Sequence, residues 1–454
     1  MFDTETSLQP FGQSFGGKTR LIQLTQNKVT HIYDTFYINI DIVKDYLKDC
    51  HLVAHNIHYD LSCLEFQNWI PREIDDTMYL ARHMFPTLES YSLKNLLAYL
   101  NIGDKGDEGA SNWDSSLSKE QLQYAADDTI YLEELYEKLR GHREMLTYKI
   151  DIASITHALR YQLNGFPVIE TNRKKMLKEK NKIVVETTKA LPVNFNVNSY
   201  VQVRKLLNST ESDDNYLQKS KDPNAAYIRD QRKALKAINF LEKFEAQRIY
   251  GFFQSSGAIT GRWTCRGMPG ANPSSQNLQQ LPREMKSIFG YAEDDGRYLV
   301  DADFTSLEVY TAAGVMGATD IVDVLLSGKD FHTTTASMMY KVDYDKVTKD
   351  QRQGAKVATF AYLYGAGKVT GQIMYLKMVG EEITETQAQD LKNKWLGAYS
   401  QVSMYHKKMS NKIGNLKPNM KLTITTPLGR PVSSDKYTDA INLTCQSTGT
   451  DCPN

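Results

Sequence analysis

Four side chains at regular spacing could bind a nucleotide: Arg352, Lys356, Phe360 and Tyr364, each four residues after the last, with Gly365 closing the run. At about 100° per residue, four steps nearly return to the start, so the four would form one slowly drifting stripe on a helix. Two cations one turn apart suit a triphosphate, and two rings beyond them suit a flat base and its sugar. On spacing alone, an amphipathic helix with a merely solvated basic end fits equally well. A second set is acidic. Asp3 and Glu5, in FDTET, would share one face of a strand because strand side chains alternate. Tyr124 and Asp128, in YAADD, would share one face of a helix, and Asp60 follows a short apolar run in AHNIHYD. Each acidic piece by itself is common by chance.

The elements that must carry these groups divide the chain. Residues 1–150 read as α/β, with strands over 19–24, 29–33 and 52–55, the first two forming a hairpin. Helices are expected over 42–48, 60–65 and 121–139. From about Asp151 the pattern turns helical, with a basic run over 172–182 and a long helix over 225–249. The apolar stripe of that helix is Leu235, Ile238, Leu241 and Phe244; Arg229, Arg232, Lys233 and Lys236 lie largely elsewhere. Such a charge run is either a solvated face or a grip on phosphates.

The chain's 454 residues suffice for two or three domains. Its 41% hydrophobic and 24% charged content is ordinary for a globular protein. No apolar run of eighteen residues exists, so no membrane contact is expected, and MFDTETSLQP has no signal-peptide pattern. Five scattered cysteines without CxxC spacing point to a reducing, cytoplasmic compartment, and away from a disulfide frame or structural zinc. Net charge is zero but uneven: residues 1–150 carry 23 acidic and 14 basic side chains, the remainder 31 and 40. The acidic front can concentrate metal ions, and the basic remainder can hold a phosphate backbone.

RxxxKxxxFxxxYG resembles motif B, the nucleotide-binding helix of the family A DNA polymerases. Other motifs of that family stand in order on both sides, so the resemblance spans nearly the whole chain. It implies an α/β (α+β) protein: a ribonuclease H-like 3′→5′ exonuclease domain over 1–150, then a right-hand polymerase domain over 151–454. The latter divides into thumb (151–257), part of the palm (258–335), fingers (336–415) and an incomplete palm (416–454).

FDTET, AHNIHYD and YAADD together resemble the tyrosine-bearing DEDD exonucleases. The implied metal ligands are Asp3, Glu5, Asp60 and Asp128, with Tyr124 orienting water or the scissile phosphate and Asn56 in support. Four carboxylates can hold two divalent cations about 3.5–4 Å apart, here Mg²⁺ or Mn²⁺, two per active site.

In the polymerase part, TGR implies Arg262 as a minor-groove contact near the primer end, and Lys286 stands where relatives carry a phosphate-binding arginine. LVDADFTSLEVYTAAG resembles motif A, in which a strand delivers Asp303 to the catalytic ions and Glu308 crowds a ribose 2′-OH. His332, in KDFHTTTA, would contact the β-phosphate. Arg352 would hold the γ-phosphate, and Lys356 would neutralise the α-phosphate and protonate the leaving pyrophosphate. Phe360 would select against dideoxynucleotides, and Tyr364 would lie near the templating base and pair with Glu308. TPLGR and INLTCQSTGTD would add Arg430, Asn442 and Gln446 to the DNA contacts.

The family's last motif, HDE, occurs nowhere in the 454 residues. The expectation is an interrupted palm, one piece of a split or interrupted replicase, with a second polypeptide supplying that carboxylate. Primer-template DNA and deoxynucleoside triphosphates are the other expected partners. The compact start resembles phage replicases, which would put the protein in a host cytoplasm. A standalone 3′→5′ exonuclease with a DNA-binding polymerase remnant is the alternative, and a non-catalytic DNA-binding or assembly subunit is a third.

Overall fold

The computed structural model describes all residues except 7–17, 65–70, 105–111, 245–246, 269–273, 293–294 and 453–454. The chain forms two compact units, each assembled from separated stretches: 1–166, 250–280 and 416–454 in one, 167–249 and 281–415 in the other.

In the first unit, Phe2–Thr6, Thr19–Gln26 and Val29–Asp34 form an antiparallel sheet in that order. Asp3 lies opposite Gln23 and Glu5 opposite Leu21. A parallel pair, His51–Ala54 and Glu73–Asp76, flanks the helix Ile57–Cys63. The helix Lys119–Leu139 opens on a reciprocal cap between Ser118 and Gln121. It buries Leu132, Leu135 and Leu139 in the core that also holds Phe2 and Ile22, each such side chain contributing about 1.5–3 kcal/mol. The helix Leu146–Asn164 adds Tyr148, Ile155 and Leu159 to the same core.

The helix expected from residue 60 begins earlier because of one buried carboxylate. Asp76 accepts hydrogen bonds from the backbone N–H groups of Asn56 (3.1 Å) and Ile57 (2.9 Å). It also caps the next helix, Thr77–Met84, through Met78 and Tyr79. Asn56 can therefore take a left-handed turn, φ +66°, immediately before Ile57.

In the second unit, Glu170–Ala190 and Pro223–Lys243 pack along each other. The latter stops short of the expected residue 249, and Arg248–Ile249 is a strand. Two of its basic residues serve the fold: Arg229 pairs with Asp214 at 2.9 Å, and Arg232 donates to the carbonyls of Val197 and Ser212. The helix Lys349–Tyr362 starts at a Thr348–Gln351 capping box. Its buried face, Gly354, Ala355, Val357, Ala358 and Ala361, is small enough for close helix packing. Thr359 and Tyr362 tie it to the helix Glu385–Ala398 through Trp395 Nε1 (3.1 Å) and the Ala388 carbonyl (2.8 Å).

Two sequence expectations need correction here. The helix ends at Tyr362, so Tyr364 stands in the following turn, where Gly365 takes φ +81°. And among the described residues no strand leads into Asp303. Residues 297–306 lack regular structure and are exposed, Val300 at 84%. A strand needs a hydrogen-bonding neighbour, and none of the described strands pairs with this segment. Among the described residues no helix is long and apolar enough to cross a membrane.

Candidate functional site

The acidic residues of the first unit converge. Asp3 and Glu5 project from the edge strand of the three-stranded sheet, and Asp128 from the face of Lys119–Leu139 that packs on that sheet. Each offers a carboxylate oxygen, and the three oxygens lie within 4.8 Å of one another. An all-oxygen, anionic donor set at this spacing fits a hard divalent cation such as Mg²⁺ or Mn²⁺. Tyr124, one turn before Asp128, is buried against Leu21 and Trp113, with ring centroids 6.5 Å apart for Trp113.

Asp60, the fourth expected ligand, stands outside this trio. It is 2% exposed, and its Oδ1 accepts from the Thr4 backbone N–H at 3.0 Å and the Thr4 hydroxyl at 2.8 Å. Burial, and then the charge of Asp3, push its carboxyl well above the ordinary range, against the pull of the Thr4 bonds. Thr4 points away from Asp3 and Glu5 along the same strand. One strand therefore presents two carboxylates on one face and clamps a third acid from the other.

The nucleotide set also comes together in part. Arg352, Lys356 and Phe360 lie along the partly exposed side of Lys349–Tyr362. The helix Phe331–Tyr340 faces it: the His332 ring lies 6.1 Å from Phe360, and Asp330 forks Arg352 with two 2.9 Å bonds. Burial, reinforced by the charges of Arg352 and Lys356, lowers the His332 pKa to about 4, although Asp330 acts in the other direction. Arg352, its strongest partner, holds Asp330 well below the usual carboxylate range. Glu308 occupies the first turn of Leu307–Met316. Asp303 remains in the irregular exposed segment, and Lys286, exposed, pairs with Asp301 at 2.9 Å.

Arg262, Asn442 and Gln446 all belong to the first unit. Arg262 is exposed, and Asn442 and Gln446 sit one turn apart on the half-exposed face of Tyr437–Asp451. Arg430 requires a correction. The expectation was a DNA contact, but its side chain is buried and each of its three guanidinium nitrogens is bonded to a carboxylate. Nη1 and Nη2 bond Asp151, both at 2.8 Å, while Nε and Nη2 bond Asp451 at 3.0 and 2.6 Å. Arg430 closes the hairpin between Leu422–Thr425 and Pro431–Ser434. Its guanidinium lies under Gly261, where a Cβ would come within 2.9 Å of Arg430 Cζ. It thus supports the turn that carries Arg262 instead of reaching DNA itself.

Thr4, Asp76, Asp330 and Asp151 were not singled out from sequence. For Asp76 and Asp330 a signal existed: each stands immediately before a helical pattern, where an acid caps the first turn. Thr4 and Asp151 left no local trace, since their partners are 56 and 279 residues away.

Comparison with known proteins agrees with both halves. Residues 1–143 match the 3′-5′ exonuclease family and residues 167–453 match DNA polymerase family A. DNA polymerase I of Aquifex aeolicus is 27% identical over 99% of this chain and 82% of that protein. DNA polymerase I of Helicobacter pylori is 25% identical over 70% of this chain and 38% of its own length. The DNA polymerase of Bacillus phage SP01 is 23% identical over 45% and 23%. Among solved structures, the POL domain of Pol1 from M. smegmatis, in complex with DNA primer-template and dNTP, shares the fold. Its TM-score is 0.70, with 16% identity, over 97% of this chain and 80% of that one. The chain belongs to DNA polymerase family A and carries a 3′-5′ exonuclease domain ahead of its polymerase domain.

Proposed function

We propose that the chain performs template-directed DNA synthesis and 3′→5′ proofreading, with the nuclease over about residues 1–150, the polymerase over 151–454, and two divalent cations at each active site. The observation that carries the nuclease part is the trio Asp3, Glu5 and Asp128, three carboxylates within 4.8 Å on a paired strand and a packed helix, and the synthetic part rests on the match of residues 167–453 to DNA polymerase family A. Cations held there would acidify the attacking water and neutralise the departing 3′ oxygen. Asp3, Glu5 and Asp128 would hold them, Asp60 would add the oxygen that Thr4 does not occupy, and Tyr124 would orient water or phosphate.

On the synthetic side, primer-template DNA and deoxynucleoside triphosphates are the substrates, as in the M. smegmatis complex. Arg352 holds the γ-phosphate, His332 the β-phosphate as a neutral imidazole, and Lys356 the α-phosphate, with a proton available to the leaving pyrophosphate. Phe360 and Tyr364 receive the base and sugar, Glu308 crowds the 2′ position, and Asp303 would supply a carboxylate to the catalytic ions. Arg262, Asn442 and Gln446 check the primer end.

A second reading, a standalone exonuclease with a DNA-binding polymerase remnant, is favoured by the exposed and unpaired setting of Asp303. Primer extension decides between them, using a labelled recessed primer, Mg²⁺ and all four deoxynucleotides. Lengthening supports the first reading. Shortening alone supports the second, unless a polypeptide bearing HDE, added in trans, then restores extension. A primer left untouched throughout sinks both.

A further inference from the structure

We propose that Asp330 is a positioning residue, fixing Arg352 so that one edge of its guanidinium faces the terminal phosphate of the incoming nucleotide. The proposal rests on the reading of Arg352 as the γ-phosphate holder and deepens it.

Asp330 is the N-cap of Phe331–Tyr340. Its Oδ1 accepts from the Thr333 N–H at 2.8 Å and the Thr333 hydroxyl at 2.6 Å, so helix capping sets the carboxylate's orientation. Arg352 meets that carboxylate side-on, Nε to Oδ1 and Nη2 to Oδ2, both at 2.9 Å. A guanidinium carries five N–H donors in one rigid plane. The side-on pair consumes the Nε hydrogen and one Nη2 hydrogen. It leaves the end-on edge, Nη1 with the second Nη2 hydrogen, and among the described residues Nη1 donates to no acceptor. Because the group is planar, fixing one edge fixes the direction of the other.

Arg430 supplies the internal control. There the end-on edge grips Asp151 with two 2.8 Å bonds while the side-on edge grips Asp451. A second anion on a guanidinium already paired side-on is therefore a geometry this chain already uses. In Arg430 both edges are spent and the residue is buried. In Arg352 one edge is spent, the residue is half-exposed, and Lys356 and the His332–Phe360 pair lie beside it. Asp330 and Arg352 come from different helices, so the pair also joins Phe331–Tyr340 to Lys349–Tyr362 at the triphosphate end.

The test is equilibrium binding of dATP and dADP, with Mg²⁺, to the full chain. Asp330→Asn keeps a side-chain oxygen for the cap but replaces half of the fork with an amide donor facing Nη2. It should weaken dATP binding about tenfold, the worth of one charge-assisted fork, and leave dADP binding and the melting temperature as in the parent. Asp330→Ala should give the same selective loss. Arg352→Ala should erase the preference for triphosphate over diphosphate. If Arg352→Ala erases it and both Asp330 variants keep it, the positioning role is overturned while the γ-phosphate reading stands. Tighter dATP binding by the Asp330 variants would make Asp330 a competitor of the phosphate and likewise overturn the proposal. If Arg352→Ala keeps the preference, the underlying reading of Arg352 is the one that fails.

Discussion

The carboxylate trio of the exonuclease half and Asp303 of the polymerase half present the same functional group in opposite settings. Asp3 and Glu5 stand on a strand paired to its neighbour along its whole length, and Asp128 on a helix with a buried face. Behind them Thr4 clamps Asp60, and Asp76 gathers four backbone N–H groups. Asp303 has none of this support: its segment is exposed and joins no described strand. A carboxylate becomes a metal site only when other bonds fix where it points, because the cation's ligand geometry leaves about 0.5 Å of tolerance. The contrast predicts that the two halves differ in how they respond to loss of their acids. Asp3→Ala or Glu5→Ala should lower hydrolysis of a single-stranded 3′ end on the order of a thousandfold, several kcal/mol of lost charge stabilisation. Asp303→Ala should leave that hydrolysis unchanged. Chelation by EDTA should mimic the first pair. A nuclease that survives Asp3→Ala would end the assignment of the trio.

The two arginines sharpen the same contrast in terms of stability. Arg430 is the shared counter-ion of two buried carboxylates, so Arg430→Ala leaves Asp151 and Asp451 facing each other without it. That should cost about 3–5 kcal/mol in urea unfolding. Replacing all three together, Arg430→Met with Asp151→Leu and Asp451→Leu, should recover most of the loss, because an apolar trio of similar volume avoids the desolvation of three ions. The Arg352–Asp330 pair is partly exposed, with side chains at 42% and 40%. Arg352→Ala should therefore change stability by less than about 1 kcal/mol, whatever it does to nucleotide binding. Similar costs for the two arginines would mean that Arg430 is better solvated than its contacts indicate.

These cases show what could be read from sequence and what could not. FDTET and LVDADF were both legible through their resemblance to family motifs, and the hairpin over 19–33 and the helix over 121–139 followed from alternation and helical period. The strand before Asp303 was expected from the resemblance of LVDADF to motif A. A short motif carries at most a local propensity to pair, whereas pairing depends on a neighbour elsewhere in the chain. Arg430 was misread for the complementary reason. TPLGR identifies a hairpin turn, Thr426 to Arg430, but the residues that use up its guanidinium come from 279 residues upstream and 21 downstream. Thr4 belongs to the same class. Its hydroxyl is half of the clamp on Asp60, and Thr4→Val keeps the shape and the backbone N–H while removing that bond. If Asp60 serves as the proposed fourth ligand, a bond behind it is worth roughly tenfold in activity, so nuclease activity should fall about that much, with more Mg²⁺ needed for half-maximal rate. A loss without a shifted Mg²⁺ requirement would place Thr4 in packing alone.

The smallest effect concerns pH. Asp76 is buried, and desolvation outweighs its four backbone donors, lifting its pKa from the ordinary carboxylate value to about 6. The folded chain therefore holds a proton that the unfolded chain releases at lower pH. Its stabilising contribution is complete below the unfolded value, about 4, and is lost as pH rises toward about 6. Within that window stability should fall by up to about 1.4 kcal/mol per pH unit on account of this group. Buried Asp60, raised for the same first reason, adds a slope of the same sign. Asp76→Asn removes the titration but not the need to hold Asn56 and Ile57. The variant should be less stable at every pH, while its dependence on pH between about 4 and 6 loses one proton's worth of slope. Urea midpoints of parent and variant across that range measure it. Parallel curves would mean that the Asp76 carboxylate is already ionised at pH 4 and is stabilised by its four N–H donors more than burial opposes it. The donors that shape Asn56 and cap Thr77–Met84 would then provide an anion site strong enough to hold a fixed charge directly behind the nuclease helix.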